Sequence, residues 1–254
     1  MIGLLKSEWI KLTTVRSPYW LYTLGILFTV GIGAIIGRVS SSDGGGGDAG
    51  DGGPSLLALF AMIGLGVFLQ SFVWIQSIIA VTGDFRYNTN KTTYLAAPRR
   101  WDAVLAKTLV VVFATVVVSA VGVLLGLLAG RLFGAEDWSP FADDGLRYLL
   151  RFPVFFGIGA LACIGLAYIL RNAAGAISLV LVWTLAAEDM LPQLPKVGDK
   201  IGGWLPFANG RYWTQGEIAR GQLDWGQPAA LAWYAAICLV IWGIGVAMVL
   251  RRDA

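Results

Sequence analysis

Six stretches of this 254-residue chain run long enough without a charged side chain to cross a lipid bilayer. A helix that crosses the roughly 30 Å hydrocarbon core needs about 20 apolar residues. Helices of soluble proteins keep a polar face toward water and do not need such runs. Hydrophobic residues make up 57% of the chain and charged residues 14%. We therefore expect an all-α integral membrane protein, with spans at 18–37, 56–82, 104–131, 150–170, 172–190 and 228–250.

The Lys and Arg residues are concentrated on one side of this predicted topology. If the N-terminus is cytoplasmic, the inner segments hold 11 of the 19 cations and only four of the 16 acids. The positive-inside rule then places both ends of the chain in the cytoplasm. The net charge of +3 is modest and gives no reason to expect a nucleic-acid partner.

The chain has no histidine and no Gly-Lys dipeptide. Zinc-protease motifs, Ser-His dyads and His-ligated haem are therefore excluded, and so is a phosphate-binding G-x-x-x-x-G-K-[ST] loop. Asp48 to Gly52 resembles the start of a metal-binding D-x-x-D-G signature, but the rest of that signature is missing and the flanking residues have the composition of a flexible linker. We expect 38–55 to be an external linker. We expect no catalytic residue, no metal site and no cofactor bound by this chain.

The first 17 residues place Ile2, Leu5, Trp9 and Leu12 at helical spacing. This pattern predicts an amphipathic helix over 1–17 that lies on the inner leaflet. An ordinary charged lead-in that only sets the topology is the alternative.

Small residues recur at every fourth position of the first and third spans. Because lipid gives helices no hydrophobic reason to associate, such faces favour close approach of two backbones, within the chain or across a dimer. Frequent glycine in membrane spans is the simpler explanation. The candidate packing residues are Gly25, Gly33, Gly37, Gly122, Gly126 and Gly130.

The second span carries Gln70, Trp74 and Ser77 along one stripe of a helix. Polar side chains in hydrocarbon need partners, so the stripe should face protein or a wet cavity. Hydrogen bonding between helices and a substrate path both explain it.

The connection at 83–103 is the longest predicted cytoplasmic loop and the most basic. It mixes cations with apolar side chains, as surfaces that bind a partner protein do. Attraction to anionic lipid head groups is the competing explanation. The candidate docking residues are Asp84, Arg86, Lys91, Tyr94, Leu95, Arg99 and Arg100.

Two acids, Glu188 and Asp189, end the short fifth span, where the helix dipole disfavours negative charge. We expect a nearby cation, with Lys196 and Lys200 as candidates. Within the external segment 192–227, the aromatic run 201–213 is too short to cross the membrane and contains Pro206. It favours a re-entrant or interfacial segment, with a plain external loop as the alternative.

These features together resemble the six-span permease subunit of type-two ATP-binding cassette (ABC) exporters. The lead-in from Ser7 to Pro18 is similar to the interfacial helix that opens many actinobacterial members. Asp84, the A-A-P-R-R of Ala96 to Arg100, and Lys107 are similar to the family's acidic, P-x-R and Lys arrangement around the coupling loop. The chain departs from the family in having Asp84 where Glu is usual, and Asn88 to Asn90 where Gly-Thr often follows.

The resemblance implies a permease of the bacterial plasma membrane that exports a hydrophobic or amphipathic substrate such as a drug, peptide or lipid. It implies a separate cytoplasmic ATPase that binds ATP and Mg and docks beneath the coupling loop, so that this chain is not itself an enzyme. It also implies a second permease copy, or a homologous permease, with substrate passage between the second and fifth spans. The alternatives are a stand-alone secondary transporter or channel, and a membrane assembly or immunity protein.

Overall fold

The computed structural model of the chain describes residues 2–42, 55–87, 99–135, 138–141, 143–195, 198–221 and 223–252. These residues form helices joined by short connections, and no strand occurs among them. Six helices in this described part are long and apolar enough to cross a membrane, with the predicted order along the chain. The all-α class is thereby confirmed, and the architecture is that of a multi-pass membrane protein.

Each predicted span corresponds to one of these helices, and most extend into the charged residues that flank the apolar run. The fold begins with a short helix, α1, that is outside this set of six. The helices are α1 (Ile2–Thr14), α2 (Arg16–Ser42), α3 (Leu56–Arg86), α4 (Arg100–Leu132), α5 (Asp143–Leu170), α6 (Ala173–Gln193), α7 (Pro206–Gln215) and α8 (Gln227–Arg252).

Helix α5 lies at the centre of the bundle. In its most apolar stretch 67% of the residues are buried. The corresponding fraction is 22% in α2 and α6 and 28% in α8. Bulky rings dominate the core that it organises, which includes Phe152, Phe155 and Phe156. The peripheral helices α2, α6 and α8 therefore leave most of their apolar surface for lipid or another chain.

Glycines of α2 and α4 bring the two backbones into contact. A Cβ atom on Gly33 would collide with the carbonyl oxygen of Gly126, and one on Gly37 would collide with that of Gly130. The hydroxyl of Thr29, on the same face of α2, donates to the carbonyl oxygens of Gly25 and Gly64. The small-residue faces identified in the sequence thus lie on a contact within the chain.

A second contact of this kind joins α5 to α8 and was not anticipated. A Cβ on Gly245 would collide with the backbone of Gly165, and one on Gly165 would collide with the backbone of Ile241 and Trp242. Neither Gly165 nor Gly245 has a small residue four positions before or after it, so the sequence pattern did not reveal them.

Two of the long helices contain π-helical segments. Phe60–Leu69 lies in the first half of α3, and Trp183–Ala187 lies near the end of α6. π-helical turns are rare and occur frequently at functional sites. The segment in α6 immediately precedes the acidic pair.

Candidate functional site

A buried ion network joins α1 to the facing ends of α3 and α4. The ammonium group of Lys107 lies 2.6 Å from Oε2 of Glu8 and 2.7 Å from Oδ2 of Asp84. Lys11 lies 2.5 Å from the other oxygen of Glu8. We call Glu8, Lys11, Asp84 and Lys107 the inner network, because it lies at the end of the bundle predicted to be cytoplasmic.

The inner network balances two cations with two carboxylates. Glu8 is only 4% exposed and Lys107 only 9% exposed, so both charges are removed from water. Buried charges remain stable only when they are paired and hydrogen-bonded, and removing one partner is costly. Lys107 also lies 3.5 Å from the carbonyl oxygen of Ala80, one turn before Asp84. Helix α1, the end of α3 and the start of α4 are therefore held together as one unit.

The predicted docking loop begins and ends at this unit. Arg86 is exposed, with its guanidinium 5.6 Å from the ring centre of Tyr87, and Arg99 and Arg100 are exposed at the start of α4. Asp84 is instead directed inward, to Lys107. The other candidate docking residues, Lys91, Tyr94 and Leu95, lie outside the described residues.

A second group of side chains connects this end of α3 to the turn between α5 and α6. The guanidinium of Arg171 lies 4.9 Å from the ring centre of Phe85, and Phe85 meets Tyr168 edge-on at 6.2 Å. Arg171 has a φ of 51°, a left-handed conformation that is uncommon for a residue other than glycine. The helix α6 then starts with the Asn172 side chain, which accepts a hydrogen bond from the backbone N–H of Gly175.

The polar stripe of α3 faces protein in this conformation. The indole N–H of Trp74 donates to the carbonyl oxygen of Phe156 over 3.1 Å, and the side chain is fully buried. Ser77 pairs with Thr115 of α4 at 3.2 Å, and Gln70 is also buried. Hydrogen bonding between helices, one of the two explanations of the stripe, accounts for Trp74 and Ser77.

Around Trp74, four other rings form a compact aromatic cluster. Phe155, Phe156 and Phe207 have ring centres 5.9, 6.4 and 5.2 Å from that of Trp74, and Tyr234 lies 5.6 Å from Phe207. Phe207 belongs to α7, so the run 201–213 reaches the interior of the bundle. We call these five side chains the aromatic seat.

The acidic pair at the end of α6 has two different environments. Glu188 is buried and accepts hydrogen bonds from three N–H groups, whereas the side chain of Asp189 is 61% exposed. The cation beside the pair is Arg211, at 2.7 Å from Asp189 and 4.0 Å from Glu188. The sequence did not identify Arg211 as a cation beside the pair; of the two lysines that it offered, Lys200 is exposed and Lys196 lies outside the described residues.

Among the described residues, no group of three or more His, Cys, Asp or Glu side chains could hold a metal ion. No protein-family model, curated protein or solved structure matches the chain.

Proposed function

We propose that this chain is the membrane subunit of an ABC exporter, driven by a separate ATPase that docks on the connection between α3 and α4. The inner network is the observation that carries this proposal. It anchors both ends of the most basic predicted cytoplasmic connection to α1 through a buried lysine with two carboxylate partners. A loop anchored in this way transmits a push to the spans instead of absorbing it.

In the proposed mechanism, closure of the ATPase subunits around ATP displaces the connection at 83–103. Because α1 and the ends of α3 and α4 are joined, they move together as a rigid body. The contact of Phe85 with Arg171 carries the same displacement to the turn between α5 and α6. Arg99 and Arg100 supply positive charge at the edge of the docking surface.

The proposed substrate is hydrophobic or amphipathic. The aromatic seat offers five rings and no formal charge, which suits apolar groups better than ions. In the described conformation the seat is filled by its own side chains, with Trp74 fully buried. We propose that this is a closed conformation, and that substrate passes the Gln70 and Ser77 face when α3 separates from α5.

A second permease copy completes the proposed exporter. Helix α6 exposes Leu179, Val182 and Trp183, and only 22% of its apolar stretch is buried within the chain. A single cysteine at Val182 should give a cross-linked dimer in membranes, while one at Val117 of α4, also exposed, should give less.

The direct test is purification of the tagged chain from native membranes in a mild detergent. We expect a protein with a nucleotide-binding cassette to co-purify in stoichiometric amount, with ATPase activity that the isolated chain lacks. Inside-out vesicles that contain both proteins should accumulate a hydrophobic dye when ATP is added. They should not do so with a non-hydrolysable ATP analogue. Nucleotide hydrolysis by the isolated chain would contradict the proposal.

A secondary transporter is the second candidate, and one observation favours it. Glu188 is a buried carboxylate next to the π-helical segment of α6, facing the N-terminus of the short helix α7. Interrupted helices whose ends point at charged groups are typical of ion-coupled transporters. Transport driven by an imposed proton or sodium gradient, without ATP or a partner protein, would support this candidate against the ABC exporter.

A further inference from the structure

The short helix α7 has buried residues at both of its ends, Phe207 at the start and Thr214 and Gln215 at the end. A helix of ten residues leaves about four N–H groups at its start and four carbonyl groups at its end without partners in the helix. Away from water, each such group must be satisfied by another part of the protein. The residues that satisfy them therefore determine whether α7 can occupy this position.

Glu188 satisfies the start of α7. Its Oε1 accepts from the backbone N–H of Phe207 at 3.1 Å, and its Oε2 accepts from that of Ala208 at 2.6 Å. Pro206, the first residue of α7, has no N–H to satisfy. The indole N–H of Trp183 donates to Oε1 at 3.0 Å, so both oxygens of the carboxylate are occupied.

Arg211 makes a second connection between α6 and α7. Its guanidinium contacts Asp189 at 2.7 Å and donates to the carbonyl oxygen of Thr184 at 3.3 Å. Thr184 lies in the π-helical segment of α6. That segment thus provides a backbone acceptor for the guanidinium of Arg211.

Two arginines of α5 satisfy the other end of α7. Arg151 donates to the carbonyl oxygen of Trp213 at 2.7 Å and to the Gln227 side chain at 2.8 Å. Arg147 donates to the carbonyl oxygen of Gln215 at 3.4 Å. An anion at the start and cations at the end match the two poles of the helix dipole.

From this arrangement we propose that Glu188 is the positioning residue that seats α7 and joins it to α6. Its carboxylate holds the first turn of α7 against the end of α6. Because Phe207 belongs to that turn, Glu188 also fixes the position of the Phe207 ring in the aromatic seat. In this role Glu188 does not bind substrate and does not carry a proton or ion. Helices α6 and α7 consequently move as one body when the bundle opens. This inference goes beyond the proposed exporter function, because it holds whatever drives transport.

Hydrogen–deuterium exchange of the chain in lipid nanodiscs tests the proposal without a substrate or an ATPase. In Glu188→Ala, we expect the amides of Phe207 and Ala208 to exchange about tenfold faster or more, because their acceptor is gone. Glu188→Gln retains one acceptor oxygen and should show a smaller increase. Asp224→Asn, at an exposed acid outside α6 and α7, is the control and should leave α7 close to wild type.

Unchanged exchange of α7 in both Glu188 variants would overturn the proposal. So would a Glu188→Gln variant that loses all transport while α7 exchanges as in wild type, since that result indicates a carrier of protons or ions. If the Glu188→Ala protein does not accumulate in the membrane, the exchange of α7 in Glu188→Gln alone tests the proposal. A rise in α7 exchange together with no co-purifying ATPase would refute the exporter function and leave the role of Glu188 intact.

Discussion

The ammonium group of Lys107 lies 2.6 Å from Oε2 of Glu8, a residue 99 positions earlier in the chain. Glu8 is also the buried residue of α1, so this contact determines how the N-terminal helix packs. The pair joins α1 to the bundle through Glu8, although the other residues of this helix remain exposed or half-buried.

Replacing Lys107 by methionine removes a charge that contacts both Glu8 and Asp84. The buried carboxylate of Glu8 and the half-buried one of Asp84 then lose their shared partner, and breaking a buried ion pair destabilises a protein by about 3–5 kcal/mol. We expect the midpoint of thermal unfolding in detergent to fall by several degrees, measured by size-exclusion chromatography after heating. Lys6→Met, at an exposed lysine of α1, is the control and should change little. An equal effect of the two substitutions would mean that the network is not stabilising.

Gly33→Ala places a methyl group against the backbone of Gly126. Overpacking of this kind costs about 1–3 kcal/mol, because the two helices must separate to accommodate it. Gly31→Ala is a matched control in the same helix, since a Cβ at Gly31 meets nothing within 4 Å. We expect the first substitution alone to lower the amount of protein that survives heating. If Gly31→Ala were equally harmful, glycine itself and not the contact would be responsible.

Reversal of charge at Arg99 and Arg100 tests the docking surface. With both changed to Glu, opposite charge at the edge of the interface becomes like charge, and we expect recovery of the ATPase to fall by about tenfold or more. Membrane insertion should be unaffected because both side chains are exposed. Arg131→Glu, at the opposite end of α4, is the control. Full recovery of the ATPase with the double variant would exclude these arginines from the docking surface.

Trp74→Phe separates hydrogen bonding from packing at the aromatic seat. The ring is retained, but the bond to the carbonyl oxygen of Phe156 is lost, at a cost of about 1 kcal/mol. Trp74→Ala also creates a cavity and should cost about 3–5 kcal/mol. Thermal unfolding of both variants, with Trp20→Phe as a lipid-exposed control, gives the comparison. A fall in stability with Trp74→Phe as large as with Trp74→Ala would contradict this assignment.

The positions of the spans and of the small-residue face could be predicted from the sequence, because both follow from the order of neighbouring residues in the chain. A span is a run of apolar residues, and a face such as Gly33 and Gly37 follows from the helical repeat. The identity of the opposing helix is a different matter, since the repeat says nothing about which backbone will approach. Gly165 and Gly245 illustrate the limit, because neither belongs to a repeat of small residues.

Partners distant in the chain were the part that sequence reasoning missed. Asp84 was placed in the docking loop by the family's acidic, P-x-R and Lys arrangement, and the contact of its carboxylate with Lys107 was not foreseen. Arg211 was overlooked as the partner of the acidic pair, because Lys196 and Lys200 are closer in sequence. In each case, the partner that a charged side chain contacts depends on the direction of that side chain within the packed bundle. A helical wheel gives the face of a residue but not the helix that faces it.

The burial of Glu8 also constrains the order in which the protein is made. During synthesis α1 and α2 emerge first, with Lys11 beside Glu8, yet the lysine that pairs with the second oxygen of Glu8 is supplied only when α4 has been translated. Until then Glu8 lacks the buried partner that accompanies its own burial. Docking of the N-terminal helix is therefore a late event of biogenesis, and it occurs only after the third span has been inserted.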